Sequence, residues 1–100
     1  KIILACNAGL STSMLVQKMK DSAEERKIDV EILAVSVNSI NDYLDYDVLL
    51  LGPQVRYILS KAKALADPHG IPVEVINMMD YGRCNGKAVL DRAVELNSSK

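Results

Sequence analysis

Short apolar runs alternate with segments of helical period along the whole chain, and that alternation leaves few folds open. Lys1-Ile2-Ile3-Leu4-Ala5 reads as a first strand. Leu15, Met19 and Ala23 then recur every fourth position, which predicts a helix from about Thr12 to Lys27. Val30, Ile32, Ala34 or Val35, and Val37 predict a second strand. The capped connection Asn38-Ser39-Ile40-Asn41-Asp42 follows it, with a short helical turn around Ile40 to Leu44. Val48-Leu49-Leu50-Leu51 is a third strand, apolar throughout, as a strand covered on both faces must be. Gly52-Pro53-Gln54 breaks it and starts a helix with Pro in its first turn. In that helix Val55, Ile58, Leu59, Ala62, Leu65 and Ala66 follow the i, i+3, i+4, i+7 template. Asp67-Pro68-His69-Gly70 ends it, and Pro72-Val73-Glu74-Val75-Ile76 is the fourth strand. A last helix spans about Gly86 to Asn97, with Val89, Leu90, Ala93 and Val94 expected to face inward.

Strands separated by helices imply an α/β fold: a four-stranded parallel sheet with right-handed crossovers and helices on both faces. The chain's 100 residues suit a single domain that buries its own core. In such sheets ligands bind beyond the carboxyl ends of the strands, at the point where the strand order reverses. Four loops should therefore converge: the one at Cys6, the Ser36-Val37-Asn38 region, Gly52-Pro53-Gln54, and Asn77-Met78-Met79-Asp80-Tyr81. His69 enters a strand and belongs to the opposite edge, as a turn residue.

The first of those loops carries the chemistry. Cys6 is followed by Asn7-Ala8-Gly9-Leu10-Ser11-Thr12-Ser13, in which only Leu10 is bulky, so the backbone can approach a ligand closely. Successive N–H groups in a loop that opens a helix make an anion-binding nest, and the helix terminus favours negative charge. Groups that hold a phosphate in this way also lower the pKa of a neighbouring thiol, supplying the thiolate nucleophile. The segment reads as a phosphatase-like Cys loop that holds a phosphoryl group. The donors to that group are the N–H groups of this loop with the hydroxyls of Ser11, Thr12 or Ser13, any of which also serves as a helix cap. The plainer alternative for Cys6 is a buried small hydrophobe.

Composition excludes several classes. Net charge is −1, with no Lys/Arg stripe, which argues against nucleic acid as a partner. No apolar run approaches the roughly 20 residues of a membrane span. Cys6 and Cys84 are too few for a secreted disulfide scaffold, so free thiols are expected. With His69 the only histidine, no metal cluster is expected.

Three pieces carry a family resemblance. Cys6-Asn7-Ala8-Gly9-Leu10-Ser11-Thr12-Ser13 resembles the Cys-x-Ala-Gly-x-Ser-Thr-Ser signature of the IIB components of bacterial phosphotransferase systems, lactose/cellobiose/chitobiose type. Leu49-Leu50-Leu51-Gly52-Pro53-Gln54 is similar to the family's Leu-Gly-Pro-Gln turn, and Tyr81-Gly82 followed by Gly86 to its Tyr-Gly-x-x-x-Gly element. Asn7 stands where Ser is common and Leu10 where Met is common. The resemblance implies a cytoplasmic phosphocarrier, transiently at the inner face of the membrane. Cys6 would accept a phosphoryl group from a phosphohistidine of IIA. It would pass that group to a sugar, typically a β-linked disaccharide, translocated by the membrane IIC component. No cofactor belongs to that step, and a monomer is expected.

Two other readings compete. Low-molecular-weight tyrosine phosphatases and arsenate reductases share the loop but close it with an arginine, where this chain has Thr12. Without a bidentate guanidinium on the phosphoryl oxygens, much transition-state stabilisation is missing, which suits a carrier that must not activate water. Asp80, on the fourth-strand loop, is the candidate general acid of that alternative. A redox module using Cys6 and Cys84 would need both sulfurs within disulfide reach. For the carrier, Leu10, Met14, Pro53, Gln54 and Tyr81 form the expected docking rim for successive partners.

Overall fold

The computed structural model describes residues 1–6 and 9–98; for Cys6 and residues 10–13 it describes the backbone alone. Four strands, β1 (Ile2–Cys6), β2 (Ile32–Ser36), β3 (Val48–Leu51) and β4 (Val73–Val75), form one sheet in the order β2-β1-β3-β4, every pair parallel. Helices α1 (Gly9–Glu25), α2 (Leu59–Ala66), α3 (Met78–Gly82) and α4 (Gly86–Ser98) complete the fold with short 3₁₀ segments between them. The expected four-stranded parallel sheet with helices on both faces is the observed one.

Alternation along the strands builds two cores. Ile2, Leu4, Val48 and Leu50 point to one face, where Leu15, Met19 and Ala23 of α1 and Val89, Leu90 and Ala93 of α4 cover them. Ile3, Ala5, Leu49 and Leu51 point to the other, under Ile40, Val55, Ala62 and Ala66. All of β3 is buried, which explains its unbroken apolar run.

Several element ends differ from the sequence expectation, each for a local reason. α1 starts at Gly9 rather than near Thr12 and stops at Glu25. It stops because Lys27 takes a left-handed φ of 58°, while the Ile28 amide donates to the Ala23 carbonyl at 2.8 Å and the Lys27 amide to that of Glu24. That is a helix-ending motif with lysine where glycine is usual. β2 is shorter than expected at both ends: Val37 belongs to a 3₁₀ turn, Val37–Tyr43, whose Asn38 amide donates to Ser36 Oγ. The helix after Pro53 is bent. A 3₁₀ segment, Pro53–Ile58, precedes α2 because the buried Val55 turns out of helical geometry (φ −114°, ψ 21°) and donates its amide to the Gly52 carbonyl at 3.0 Å. On α4 the buried line runs Gly86, Val89, Leu90, Ala93, with Leu96 partly covered, and rotates away from Val94, which is exposed.

α4 is held against its neighbours at three points. Arg92 grips Glu74 of β4 with two hydrogen bonds, Nε–Oε2 at 2.6 Å and Nη2–Oε1 at 2.7 Å. Arg26, just beyond α1, pairs with Asp91. At Gly86 the two helices touch backbone to backbone: a Cβ there would stand 2.4 Å from the Lys18 carbonyl carbon and 2.5 Å from the Met19 nitrogen. The last glycine of the Tyr81-Gly82-x-x-x-Gly86 element is thus a packing requirement, whereas a Cβ on Gly82 would meet nothing.

Gly86→Ala should therefore cost about 1–3 kcal/mol in urea unfolding, by forcing α1 and α4 apart. Gly82→Ala should be neutral or stabilising by up to about 1 kcal/mol. Asp91 gives a pH signature. The Arg26 hydrogen bond holds its carboxyl below the ordinary carboxylate value. Its pair thus stabilises the fold at neutral pH and is lost as pH falls through that lowered value. The stability gap between wild type and Asp91→Asn should close as the medium is acidified below about pH 4.

Candidate functional site

Strand register brings the four carboxyl ends level. Cys6 lies opposite Ser36, Ala5 opposite Leu51, and Leu51 opposite Val75. Beyond the ladder, the Gly52 amide donates to the Ala5 carbonyl at 2.9 Å and the Ile76 amide to that of Leu51 at 2.8 Å. The chain leaving β1 goes to one face as α1, and the chain leaving β3 goes to the other. The order reverses between these two central strands, which opens a crevice at their ends. Cys6 ends β1, one of these two strands.

α1 begins at Gly9, three positions after Cys6, and its first turn carries no acidic side chain. The first N–H groups of a helix lack intrahelical acceptors, so this amino end faces the edge with donors to spare. Asn7 and Ala8 lie outside the described residues, as do the side chains of Cys6, Leu10, Ser11, Thr12 and Ser13; for Gly9 the backbone position is what the structure adds.

The other expected rim residues are described. Gly52 precedes Pro53, which starts the 3₁₀ segment, and Gln54 Nε2 donates to Tyr81 Oη at 3.0 Å. That bond joins the loop after β3 to α3. Pro53, Gln54 and Tyr81 line one shallow groove of about 550 Å³ together with Arg56, Tyr57, Met78 and Gly82. Met14 is 60% exposed on the second turn of α1 rather than packed in the core, and it does not line that groove.

Sequence reasoning missed α3, reading Asn77 to Tyr81 as loop. Asn77 caps it, its Oδ1 accepting from the amides of Met79 at 2.9 Å and Asp80 at 3.3 Å. The asparagine directly before a helical stretch was the available signal. Also missed were Tyr57, Met78 and Met79, exposed at 72%, 63% and 62%. Met78-Met79 directly after an apolar strand, and Tyr57 off the inward template of its helix, were the traces of them in the sequence.

The remaining candidates separate from this groove. Asp80 is half-buried and lines a different one, of about 370 Å³, with Glu74, Asn77 and Arg92. Cys84 is a free thiol beside Lys18, Asp21 and Ser22 of α1, at a left-handed φ of 50°. His69 is exposed in a 3₁₀ turn that enters β4 from the far edge, as expected. Among the described residues no helix is long and apolar enough to cross a membrane.

Residues 1–92 match the family model described as the PTS system, lactose/cellobiose-specific IIB subunit. The chain belongs to that family. Similar proteins include the oligo-β-mannoside-specific EIIB component of Bacillus subtilis, 42% identical over 96% of this chain and 94% of that one. The galactose-specific EIIB component of Lactococcus lactis subsp. cremoris is 45% identical, over 95% of this chain and 94% of its own. Among solved structures, the cellobiose-specific IIB component of Borrelia burgdorferi superposes with a TM-score of 0.83 at 40% identity, covering 99% of this chain and 92% of that one. The lactose-specific IIB domain of Streptococcus pneumoniae (TM-score 0.82, 21% identity, 95% and 93% covered) shares the fold. This IIB chain is thus a phosphotransferase component of sugar uptake, a class that works with IIA and IIC partners. These relationships do not favour the phosphatase reading built on Asp80.

The cap on α3 orders the part of the rim that Tyr81 belongs to. Asn77→Ala should cost about 1 kcal/mol, and amide hydrogen exchange at Met79 and Asp80 should accelerate well beyond that of β3.

Proposed function

We propose that this chain is a one-domain cytoplasmic phosphoryl carrier in which Cys6 is the nucleophile. The observation that carries this reading is the position of Cys6, at the carboxyl end of the inner strand β1, three positions before the amino end of α1. The thiolate attacks the phosphorus of a phosphohistidine on IIA. An S–P bond forms as the P–N bond breaks, and the imidazole leaves with the electron pair and takes up a proton. In the second half a sugar hydroxyl held by IIC attacks the same phosphorus, the S–P bond breaks, and the hydroxyl proton is released as the thiolate returns.

Amides of residues 8–13, with the hydroxyls of Ser11, Thr12 or Ser13, hold the three equatorial oxygens of the moving group. The amino end of α1 favours that charge and keeps the thiol ionised. Thr12 stands where a phosphatase loop would have its closing arginine, so water is poorly activated and the phosphocysteine lasts until the acceptor arrives. Leu10, Met14, Pro53, Gln54 and Tyr81 belong to the surface that both partners meet. The relatives named above are specific for oligo-β-mannosides, galactose or cellobiose; for this chain the proposed substrate class is a β-linked disaccharide, chosen by IIC.

Intact-protein mass spectrometry tests the reading directly. The chain is incubated with phosphoenolpyruvate, enzyme I, HPr and a cognate IIA. Wild type should gain one stable phosphoryl group, Cys6→Ser should gain none, and neither should hydrolyse an aryl phosphate. Cys6-dependent ester turnover without a lasting adduct would make the protein a phosphatase instead.

A further inference from the structure

We infer that Asn85 is a site of spontaneous deamidation that the native seating of α4 on α1 holds shut, and that its isoaspartyl product prevents α4 from seating again. Of the chain's six asparagines, Asn85 alone precedes a glycine. Asparagine is among the thermolabile residues of proteins. With no Cβ on the following residue, nothing shields that residue's nitrogen from the asparagine side chain.

Two separate demands put this pair here. Helix α4 begins at Gly86, and Asn85 caps it, its Oδ1 accepting from the Ala88 amide at 3.3 Å. Gly86 is required by the backbone contact with Lys18 and Met19 of α1, which leaves no room for a Cβ.

In the reaction the Gly86 nitrogen loses its proton to solvent and attacks Asn85 Cγ. A C–N bond forms, the Cγ–Nδ2 bond breaks, and Nδ2 leaves as ammonia after taking up a proton. Water then opens the cyclic imide. Cleavage at Cγ gives aspartate, whereas cleavage at the backbone carbonyl gives isoaspartate, with one more atom in the main chain.

The native turn opposes every part of the first step. Gly86 is buried, and its N–H donates to the Cys84 carbonyl at 2.9 Å, so the attacking nitrogen keeps its proton. Asn85 is fixed at both ends: its amide donates to the Asp80 carbonyl at 2.8 Å, and its carbonyl accepts from the Val89 amide at 3.2 Å. Attack therefore waits until the turn opens. Cys84 favours that opening, because it holds a left-handed φ of 50° without being a glycine. The two products then differ. Aspartate at 85 keeps the ordinary backbone and is as good a cap, at a helix end that favours negative charge. Isoaspartate displaces Gly86, where the contact with α1 has no slack.

The test ages wild type, Asp91→Asn and a peptide of residues 81–89 in mildly alkaline buffer and follows Asn85 by peptide mapping. Circular dichroism checks the fold of the variant at the start. Wild type should deamidate more slowly than the peptide by about tenfold or more, since reaction needs local opening. Asp91→Asn, which frees α4 from Arg26, should deamidate several-fold faster than wild type. The isoaspartyl fraction, recognised by isoaspartyl methyltransferase labelling, should unfold at lower urea than Asn85→Asp. That variant carries the same charge on an ordinary backbone and should unfold with wild type. Deamidation of wild type at the peptide's rate would overturn the inference. So would an Asp91→Asn variant no faster than wild type, which would place the opening in the turn alone. An isoaspartyl fraction as stable as Asn85→Asp would also overturn it.

Discussion

Parallel pairing on both sides of β1 is the constraint on which the rest of the molecule depends. The strand is bonded to β2 along its whole length and to β3 from Ile2 to Ala5, and its side chains from Ile2 to Ala5 are buried on both faces. A strand so enclosed cannot slip by one residue without exchanging the two cores, because successive side chains face opposite ways. Its register therefore sets where Cys6 stops, level with Ser36 and one step beyond the Ala5–Leu51 pair. The connections leaving the two central strands must go to opposite faces, and the crevice between them follows from topology rather than from any feature of the loops.

Around that crevice the molecule spends its polar and apolar groups differently than elsewhere. On the faces, apolar side chains are absorbed into the two cores, and Arg26 and Arg92 into ion pairs that fasten α4. At the carboxyl edge, Met14, Tyr57, Met78 and Met79 stay in solvent. A carrier needs such an edge. Its partners must reach the sulfur directly, and each must leave again, which favours adaptable side chains over a deep pocket. On the proposed mechanism, Thr12 in place of a closing arginine fits the same economy: the loop would hold a phosphoryl group and then let it go.

Much of this was legible in the sequence where a single interaction scale governs. Val48 to Leu51 reads as a buried strand because nothing interrupts its apolar run between Asp47 and Gly52, and the helical period of Leu15, Met19 and Ala23 marks the buried stripe of α1. The Cys6 loop was placed at the strand ends by the βα alternation alone. What was not legible depends on tertiary contacts. α3 is too short to show a period and stands on the Asn77 cap and the Gln54–Tyr81 bond. The bend at Val55 comes from its seat in the core, and the stop of α1 from an unusual φ at Lys27, which carries no glycine signal. Gly86 is explained by a helix that begins far earlier in the chain. Which arginines are paired could not be read at all, since Arg26 finds its partner 65 positions away and Arg92 one of its partners 18 positions away.

In the proposed mechanism one set of backbone donors both ionises Cys6 and holds the phosphoryl group. The most direct measurement is the pH dependence of Cys6 alkylation in a Cys84→Ser background, with and without inorganic phosphate. Under that mechanism the thiol should ionise below its ordinary value of about 8.5, and phosphate should protect it from the reagent. A thiol that titrates at or above that value, indifferent to phosphate, would contradict it.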